Sequence, residues 1–148
     1  MISFKEINED NYDEILKLEV LEVDKRFIAP NVRSLADCWL YRKNNDCFPY
    51  GIYYGNLLVG FILICIDDKE YYIWRMMIDK NYQNRGYGSK VIEYIIDIVE
   101  KDSTIDYILT DYVLGNVKMK NLLEKYNFKE YKYYEKWNQM AMKYYKKR

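Results

Sequence analysis

The chain reads as a single-domain α/β protein, one mixed sheet flanked by helices. Three observations lead there. Half of its 148 residues are hydrophobic, with 18 Tyr, 5 Phe and 3 Trp, which is enough apolar bulk for one core and argues against disorder. Two apolar runs flank Gly55-Asn56 as the strands of a hairpin would. Beyond that hairpin, short apolar runs alternate with amphipathic stretches, the pattern of strands and helices in one layered domain. Neither an internal repeat nor a Pro- or Ser-rich linker interrupts the chain, so residues 1–148 form one domain.

In chain order, MISFKEI alternates as an edge strand. EDNYDEILKLEVLEV places Tyr12, Ile15, Leu16, Leu18 and Val20 near helical spacing, with Asn8 or Asp10 as cap. After Pro30, NVRSLADCWLYRKN carries the stripe Val32, Leu35, Ala36, Trp39 and Leu40, with Asn31 as cap. The hairpin PYGIYY-GN-LLVGFILICI comes next. KEYYIWRMMID follows, apolar on both faces as a central strand would be. Asn81 to Gly88 form a loop, and SKVIEYIIDIVEK is a helix with Val91, Ile92, Ile95, Ile96, Ile98 and Val99 inward. DYILTDYVL is a strand, NVKMKNLLEKY a helix, and FKEYKYYEKWNQMAMKYYKK a closing antiparallel hairpin. The order is β-α-α-β-β-β-α-β-α-β-β.

Composition excludes several function classes. Lys plus Arg equals Asp plus Glu at 23 each, so charge gives no reason to expect nucleic acid as partner, and the basic ending MKYYKKR reads as a solvated tail. Histidine is absent, which removes Ser–His and Cys–His nucleophiles and every His-containing metal site. Acid–base work falls to Tyr, Asp, Glu, Cys, Lys or water. Cys38, Cys47 and Cys65 are odd in number, widely spaced and without a C-x-x-C pair, so they read as small free hydrophobes in a reducing compartment. No basic-then-apolar leader opens the chain, and no apolar run approaches membrane-spanning length; the expectation is a cytoplasmic protein without membrane or metal.

The chemistry concentrates in MMIDKNYQNRGYGSKVIEYI, a strand, a turn, a glycine pair and a helix. A helix N-terminus exposes unpaired N–H groups and positive partial charge, and glycine lets a phosphate approach the amides. The sequence lacks the G-x-x-x-x-G-K-[ST] of a P-loop. It also lacks the third small residue of a dinucleotide fingerprint, with Val91 in that place. What remains is Gln83-Asn84-Arg85-Gly86-Tyr87-Gly88, a Q-x-x-G-x-G pattern. It resembles the acetyl-CoA-binding motif of the GCN5-related N-acetyltransferase (GNAT) superfamily. The second motif of that family, N-x-x-A-x-x-L-Y-x-K-x-G-F, is matched in NVKMKNLLEKYNF at Asn116, Leu122, Lys125 and Phe128.

The resemblance covers essentially the whole chain and implies a mostly antiparallel sheet with splayed central strands. It implies direct acetyl transfer from acetyl-CoA to a primary amine in a ternary complex. On that analogy, backbone groups of Met77 and Ile78 would pair with the pantetheine. Amides of Arg85, Gly86, Tyr87, Gly88 and Ser89 would hold the pyrophosphate, with Gln83 and Arg85 side chains assisting, and Asn116 would contact the cofactor arm. The tyrosine that usually protonates the leaving thiolate is replaced by Leu123. Tyr126, one helical turn on, is the substitute acid, with Tyr112 and water as alternatives; a thiol pKa of about 8.5 lets the thiolate leave passably unaided. Asn127 stands for the family glycine and tolerates positive φ.

The acceptor amine must lose a proton to a carboxylate. Glu19, Glu22 and Asp24 fall late in the first helical segment, where the family receives its acceptor. Glu22 is the candidate base, and Glu19 and Asp24 the candidate binding groups; Glu70 and Asp111 are alternatives on strands. RFIAPNVRSLADC and PYGIYYGNLLVGFILI resemble polyamine acetyltransferases, and Asp37 adds to the negative charge. On the same resemblance, Trp74 and Arg75 would stand near the acceptor channel, in the region where some polyamine enzymes carry carboxylates, and an arginine there would repel a polycation or hold a carboxylate. A polyamine or other small amine ranks first as acceptor. An antibiotic, amino-acid or protein amine follows, then a non-catalytic acetyl-CoA-binding module. A homodimer is compatible with all of these.

Overall fold

The computed structural model describes residues 1–147. Its elements are β1 (Ile2–Glu6), α1 (Tyr12–Lys17), α2 (Asn31–Leu40), β2 (Cys47–Tyr54), β3 (Leu57–Asp67), β4 (Glu70–Ile78), α3 (Tyr87–Lys101), β5 (Tyr107–Val113), α4 (Val117–Lys125), β6 (Lys129–Tyr134) and β7 (Gln139–Tyr145). Short 3₁₀ turns lie between several of them, among them Glu22–Phe27 and Lys80–Tyr82. One seven-stranded sheet runs in the order β1-β2-β3-β4-β5-β7-β6. The predicted element order and the mixed sheet are both present.

The hairpin turns at Gly55, whose φ of +61° suits a residue without Cβ, and Tyr54 pairs directly with Leu57. β3 is buried from Leu58 to Cys65, because the sheet is covered on both faces. Among the described residues β4 and β5 are the only parallel neighbours; the other pairs are antiparallel. Between β3 and β4, Leu63 pairs with Arg75 and Ile64 with Ile73, which leaves Trp74 as an extra residue on β4. Such a bulge bends the strand that carries it.

The two faces bury separate clusters. α3 and α4 supply Val91, Ile92, Ile95, Val99 and Leu123 to one, against Ile62, Ile73, Ile108 and Phe128. The opposite face packs Ile15, Leu58, Phe61, Leu63 and Met77, with Leu35, Cys38 and Trp74 at its edge. Of the inward stripe predicted for α3, Val91, Ile92, Ile95 and Val99 are buried and Ile96 packs against them, while Ile98 is half-buried and joins neither cluster; the helix begins two residues earlier, at Tyr87.

Several local expectations are corrected. α1 stops at Lys17, and Leu18 is already extended. The cause is tertiary: the Glu19 N–H donates to Asp79 Oδ1 at 2.9 Å, and the Lys80 N–H donates to the Glu19 carbonyl at 2.8 Å. These bonds draw the chain out along the end of β4, so Glu19, Glu22 and Asp24 follow the helix instead of ending it. α2 is turned the other way from its apolar stripe. Val32, Trp39 and Leu40 are 57%, 67% and 65% exposed, while Asn31, Ser34 and Asp37 are buried. Polar partners reward that orientation: Asn31 Nδ2 donates to the Ile15 carbonyl, and Arg75 binds Ser34 and Asp37. Pro30, not Asn31, holds the N-cap position.

Cys47 and Cys65 are direct partners across β2 and β3 and are joined as a disulfide, so only Cys38 is free. The ending is not a solvated tail. Met142 and Tyr144 are buried in β7, and the Lys146 ammonium binds the carbonyls of Asp102 and Ile105. Arg148, the last residue of that stretch, lies outside the described residues.

Candidate active site

β4 and β5 are paired only at their first halves, from Glu70–Tyr107 to Ile73–Thr110. Thr110 closes the pairing by donating from Oγ1 to the Ile73 carbonyl at 2.9 Å. Beyond it the Trp74 bulge carries β4 away, and a cleft of about 640 Å³ opens between the strands. Trp74, Arg75, Met76, Met77 and Ile78 form one wall, and Asp111, Tyr112 and Val113 the other. Backbone groups facing the gap have no ladder partner there, and apart from the Ile78 carbonyl, which accepts from Gln83, they are open to a ligand.

The N-terminus of α3 faces this cleft. Gly86 is its N-cap at φ +81°, a left-handed conformation that glycine adopts without strain, and no side chain caps the helix. The first intrahelical bond runs from the Lys90 N–H to the Gly86 carbonyl, so amides of the first turn have no intrahelical acceptor. Gln83, Asn84, Gly86, Tyr87 and Gly88 line the cleft. Gln83 also fixes the loop, donating from Nε2 to the Ile78 carbonyl at 3.2 Å. α4 differs: Asn116 caps it, with Oδ1 accepting from the Met119 N–H at 3.3 Å, and Asn116 lines the cleft as well.

On the face of the sheet next to α2, the cleft is bordered by Asp24, Tyr72, Trp74, Arg75 and Asp111. Arg75 is not a free cation. It meets Asp37 Oδ2 at 2.6 Å and Ser34 Oγ at 3.1 Å, and Arg33 approaches the other Asp37 oxygen at 3.2 Å. Burial pushes the Asp37 carboxyl up, but hydrogen bonds and charge from Arg75 and Arg33 outweigh it and hold the group below its ordinary range. The Tyr72 hydroxyl donates to Asp111 Oδ2 at 2.5 Å. Burial raises the Asp111 carboxyl above the usual range, with the Tyr72 hydrogen bond opposing it. Burial and the facing Asp111 raise the Tyr72 phenol, which stays protonated.

The cleft thus gathers Met77, Ile78, Gln83, Gly86, Tyr87, Gly88, Asn116, Asp24, Trp74 and Arg75 from the residues picked out in the sequence. Arg85 and Ser89 do not border it; the Arg85 guanidinium sits 5.7 Å from the Tyr82 ring centroid. Glu19 binds Lys80 at 2.5 Å and Lys25 at 3.5 Å, and Glu22 binds Lys25 at 2.8 Å, so neither carboxylate turns into the cleft. Tyr126 is corrected outright. It lines a separate groove beside α3, and its hydroxyl donates to Glu93 Oε1 at 2.7 Å. Leu123 is fully buried in the core. Tyr112, by contrast, does border the cleft. Asp111 with Tyr72 is the pair that sequence reasoning left among its alternatives or missed. A lone acidic residue inside the strand pattern YILTDYV was the one signal for it.

The model of the acetyltransferase (GNAT) family matches residues 6–128. A probable spermine N(1)-acetyltransferase of Bacillus subtilis subsp. natto is 28% identical over 138 residues, 86% of this chain and 87% of that protein. Among solved structures, a spermidine N-acetyltransferase from Vibrio cholerae in complex with CoA and spermine superposes with a TM-score of 0.73 at 12% identity, covering 96% of this chain and 92% of the other. An aminoglycoside acetyltransferase in complex with coenzyme A gives a TM-score of 0.78 at 11% identity over 98% and 95% of the two chains. At such identities the structural likeness establishes the fold.

Proposed function

Because the chain belongs to the acetyltransferase (GNAT) family, we propose that it transfers an acetyl group from acetyl-CoA to a primary amine, a polyamine or another small amine first among acceptors. The observation that carries this reading is the uncapped N-terminus of α3 opening onto the gap between β4 and β5. An extended thioester arm fits a gap edged by free backbone groups. A pyrophosphate fits the amides of Gly86, Tyr87 and Gly88, where the helix dipole favours negative charge. Met77, Ile78 and Gln83 would border the arm, and Asn116 would flank it from α4. Arg85 and Ser89 would meet the phosphates only at the rim. Acetyl-CoA supplies the activated acyl group; the protein supplies alignment of amine and carbonyl, worth several kcal/mol of barrier (about 7–11 in well-oriented cases).

The polyamine preference rests on the spermine acetyltransferase among the relatives and on the neutralised Arg75. With Asp37 as its partner, that arginine no longer weighs against a cationic acceptor. Asp24 is then the binding carboxylate that faces the cleft. The reading includes a cytoplasmic location, where a reducing environment would open the Cys47–Cys65 disulfide. It also includes a homodimer closing over the exposed apolar face of α2, Val32, Trp39 and Leu40. Among the described residues no helix is long and apolar enough to cross a membrane.

Free-thiol release from acetyl-CoA against a panel of diamines, spermidine, spermine, aminoglycosides, amino acids and a peptide amine tests the proposal. Turnover confined to the polyamines supports it. Turnover of the other amines alone moves the acceptor assignment. Tight acetyl-CoA binding without turnover of any amine supports a non-catalytic binding module instead.

A further inference from the structure

We propose that Asp111 is the general base that deprotonates the acceptor amine, and that Tyr72 is the positioning residue that aims it. This deepens the acetyltransferase reading and rests on it. Asp111 sits on β5 one residue past the last parallel pair, Ile73–Thr110, so its side chain stands at the mouth of the strand split. Tyr72, on β4, precedes that pair and also lines the cleft. Their hydrogen bond therefore bridges the two strands just before they part. One carboxylate oxygen is held by the phenol, and the carboxylate borders the cleft on the side of α2, where Asp24, Trp74 and Arg75 also stand.

Among the described residues no cation pairs with this carboxylate. Tyr72 touches it, with Glu70 and Arg75 beyond, and the cleft lining adds Asp24, Lys25, Arg26 and Lys118, none of which pairs with it. Glu70 accepts from the Tyr107 hydroxyl, and Arg75 is engaged by Asp37 and Ser34. Across β7 the register partner of Asp111 is Ala141. A half-buried carboxylate with a neutral donor and no counter-ion attracts a cation and accepts a proton from it more readily than a solvated one, in keeping with its upward shift. Glu19, Glu22 and Asp37 are each tied to a lysine or arginine and lack this property.

The protons balance as follows. The ammonium gives one proton to Asp111, and the neutral amine attacks the thioester carbonyl carbon. The C–N bond forms and the C–S bond breaks. The second amine proton reaches the departing sulfur, directly or through water, to give free CoA; the third stays on the amide. Asp111 returns its proton to solvent, so one proton is released per turnover.

Asp111→Asn and Tyr72→Phe, each in the full chain, test this. Asn keeps the shape and still accepts from Tyr72. Asp111→Asn is expected to lower kcat/KM by about 10²–10⁴, to abolish the acidic limb of the pH profile, and to leave acetyl-CoA affinity by calorimetry unchanged. Thermal unfolding at pH 8 supplies a readout without substrate. Because the folded state raises the Asp111 pKa, its ionised form opposes folding above that pKa, so Asn should raise Tm. Tyr72→Phe removes a hydrogen bond that favours the carboxylate and should move the acidic limb to higher pH. Asp111→Asn activity within threefold of wild type, or a lowered Tm, overturns the assignment. So does a raised KM with kcat and pH profile unchanged, the mark of a mere counter-ion. A wild-type protein that acetylates no amine overturns both this assignment and the reading beneath it.

Discussion

Gly86 and Gly88 stand one residue apart under different constraints. Gly86 caps α3 at φ +81°, where any Cβ is strained although nothing lies within 4 Å of it. Gly88 has helical backbone, and an added Cβ would meet only Leu122 Cδ2 at 3.4 Å, an ordinary contact. Gly86→Ala should therefore cost about 1 kcal/mol or more of stability, besides weakening acetyl-CoA. Gly88→Ala should fold as well as wild type and weaken acetyl-CoA alone, because its methyl group would point toward the space assigned to phosphate. Thermal melts beside calorimetric titration separate the two, and undiminished affinity in both variants would remove the loop from the binding site. Tyr126 gives a second test at this scale. With its hydroxyl on Glu93 and its ring outside the cleft, Tyr126→Phe should change kcat by less than tenfold. A loss in the general-acid range of about 10²–10⁴ would restore it as proton donor. Leu123→Tyr is a poor route to a new acid here, since a ring would have to enter the packed core.

α2 shows how tertiary partners override periodicity. The stripe Val32, Trp39 and Leu40 is real in the sequence, yet the helix turns Asn31, Ser34 and Asp37 inward, because Arg75 on β4 and the Ile15 carbonyl need partners. Removing one member should expose that dependence. Asp37→Asn leaves Arg75, whose side chain is only 16% accessible, without its charge partner, at a cost toward the lower end of ~3–5 kcal/mol. The Asp37 pKa is depressed in the folded state, so its contribution is full above the ordinary carboxylate value and is lost as pH falls through the folded value. Wild type and variant should thus differ most in denaturant melts near neutral pH and converge below about pH 4. A gap that persists in acid would show that shape, not charge, orients α2. What the sequence made legible follows the same division. The hairpin at Gly55, the helix α3 and the two motifs depend on local chemistry, and the spacing revealed them. The end of α1, the inward face of α2, the Cys47–Cys65 pair and the burial of Tyr144 depend on which strand lies beside which. The Tyr72–Asp111 pair likewise joins residues 39 positions apart and exists only through the β4–β5 register.

At the scale of the whole molecule, 23 basic residues balance 23 acidic ones, so no global field draws a cationic acceptor to the cleft. Attraction must come from carboxylates that face the opening without a cationic partner of their own. By geometry that singles out Asp24 and Asp111 along the cleft, and it excludes Glu22, which is spent on Lys25 at the surface. The contrast yields a prediction in which two neighbouring acids behave differently. Asp24→Asn should raise the KM for spermidine several-fold with little change in kcat, since it removes attraction without touching the proton transfer. Glu22→Gln should leave KM within about twofold, because an exposed ion pair contributes little, roughly 0–1 kcal/mol, and its partner Lys25, which lines the cleft, keeps Glu19. Salt supplies the cross-check. If the attraction is charge on charge, raising ionic strength from about 0.01 to 0.15 M shortens the screening length from roughly 30 to 8 Å and should raise the wild-type KM. The Asp24→Asn enzyme, already lacking the attraction, should respond less. Equal salt dependence in wild type and Asp24→Asn, together with a large KM increase in Glu22→Gln, would mean that acceptors are gathered at Glu22 on the surface before they enter the cleft, and the binding role would pass from Asp24 to Glu22.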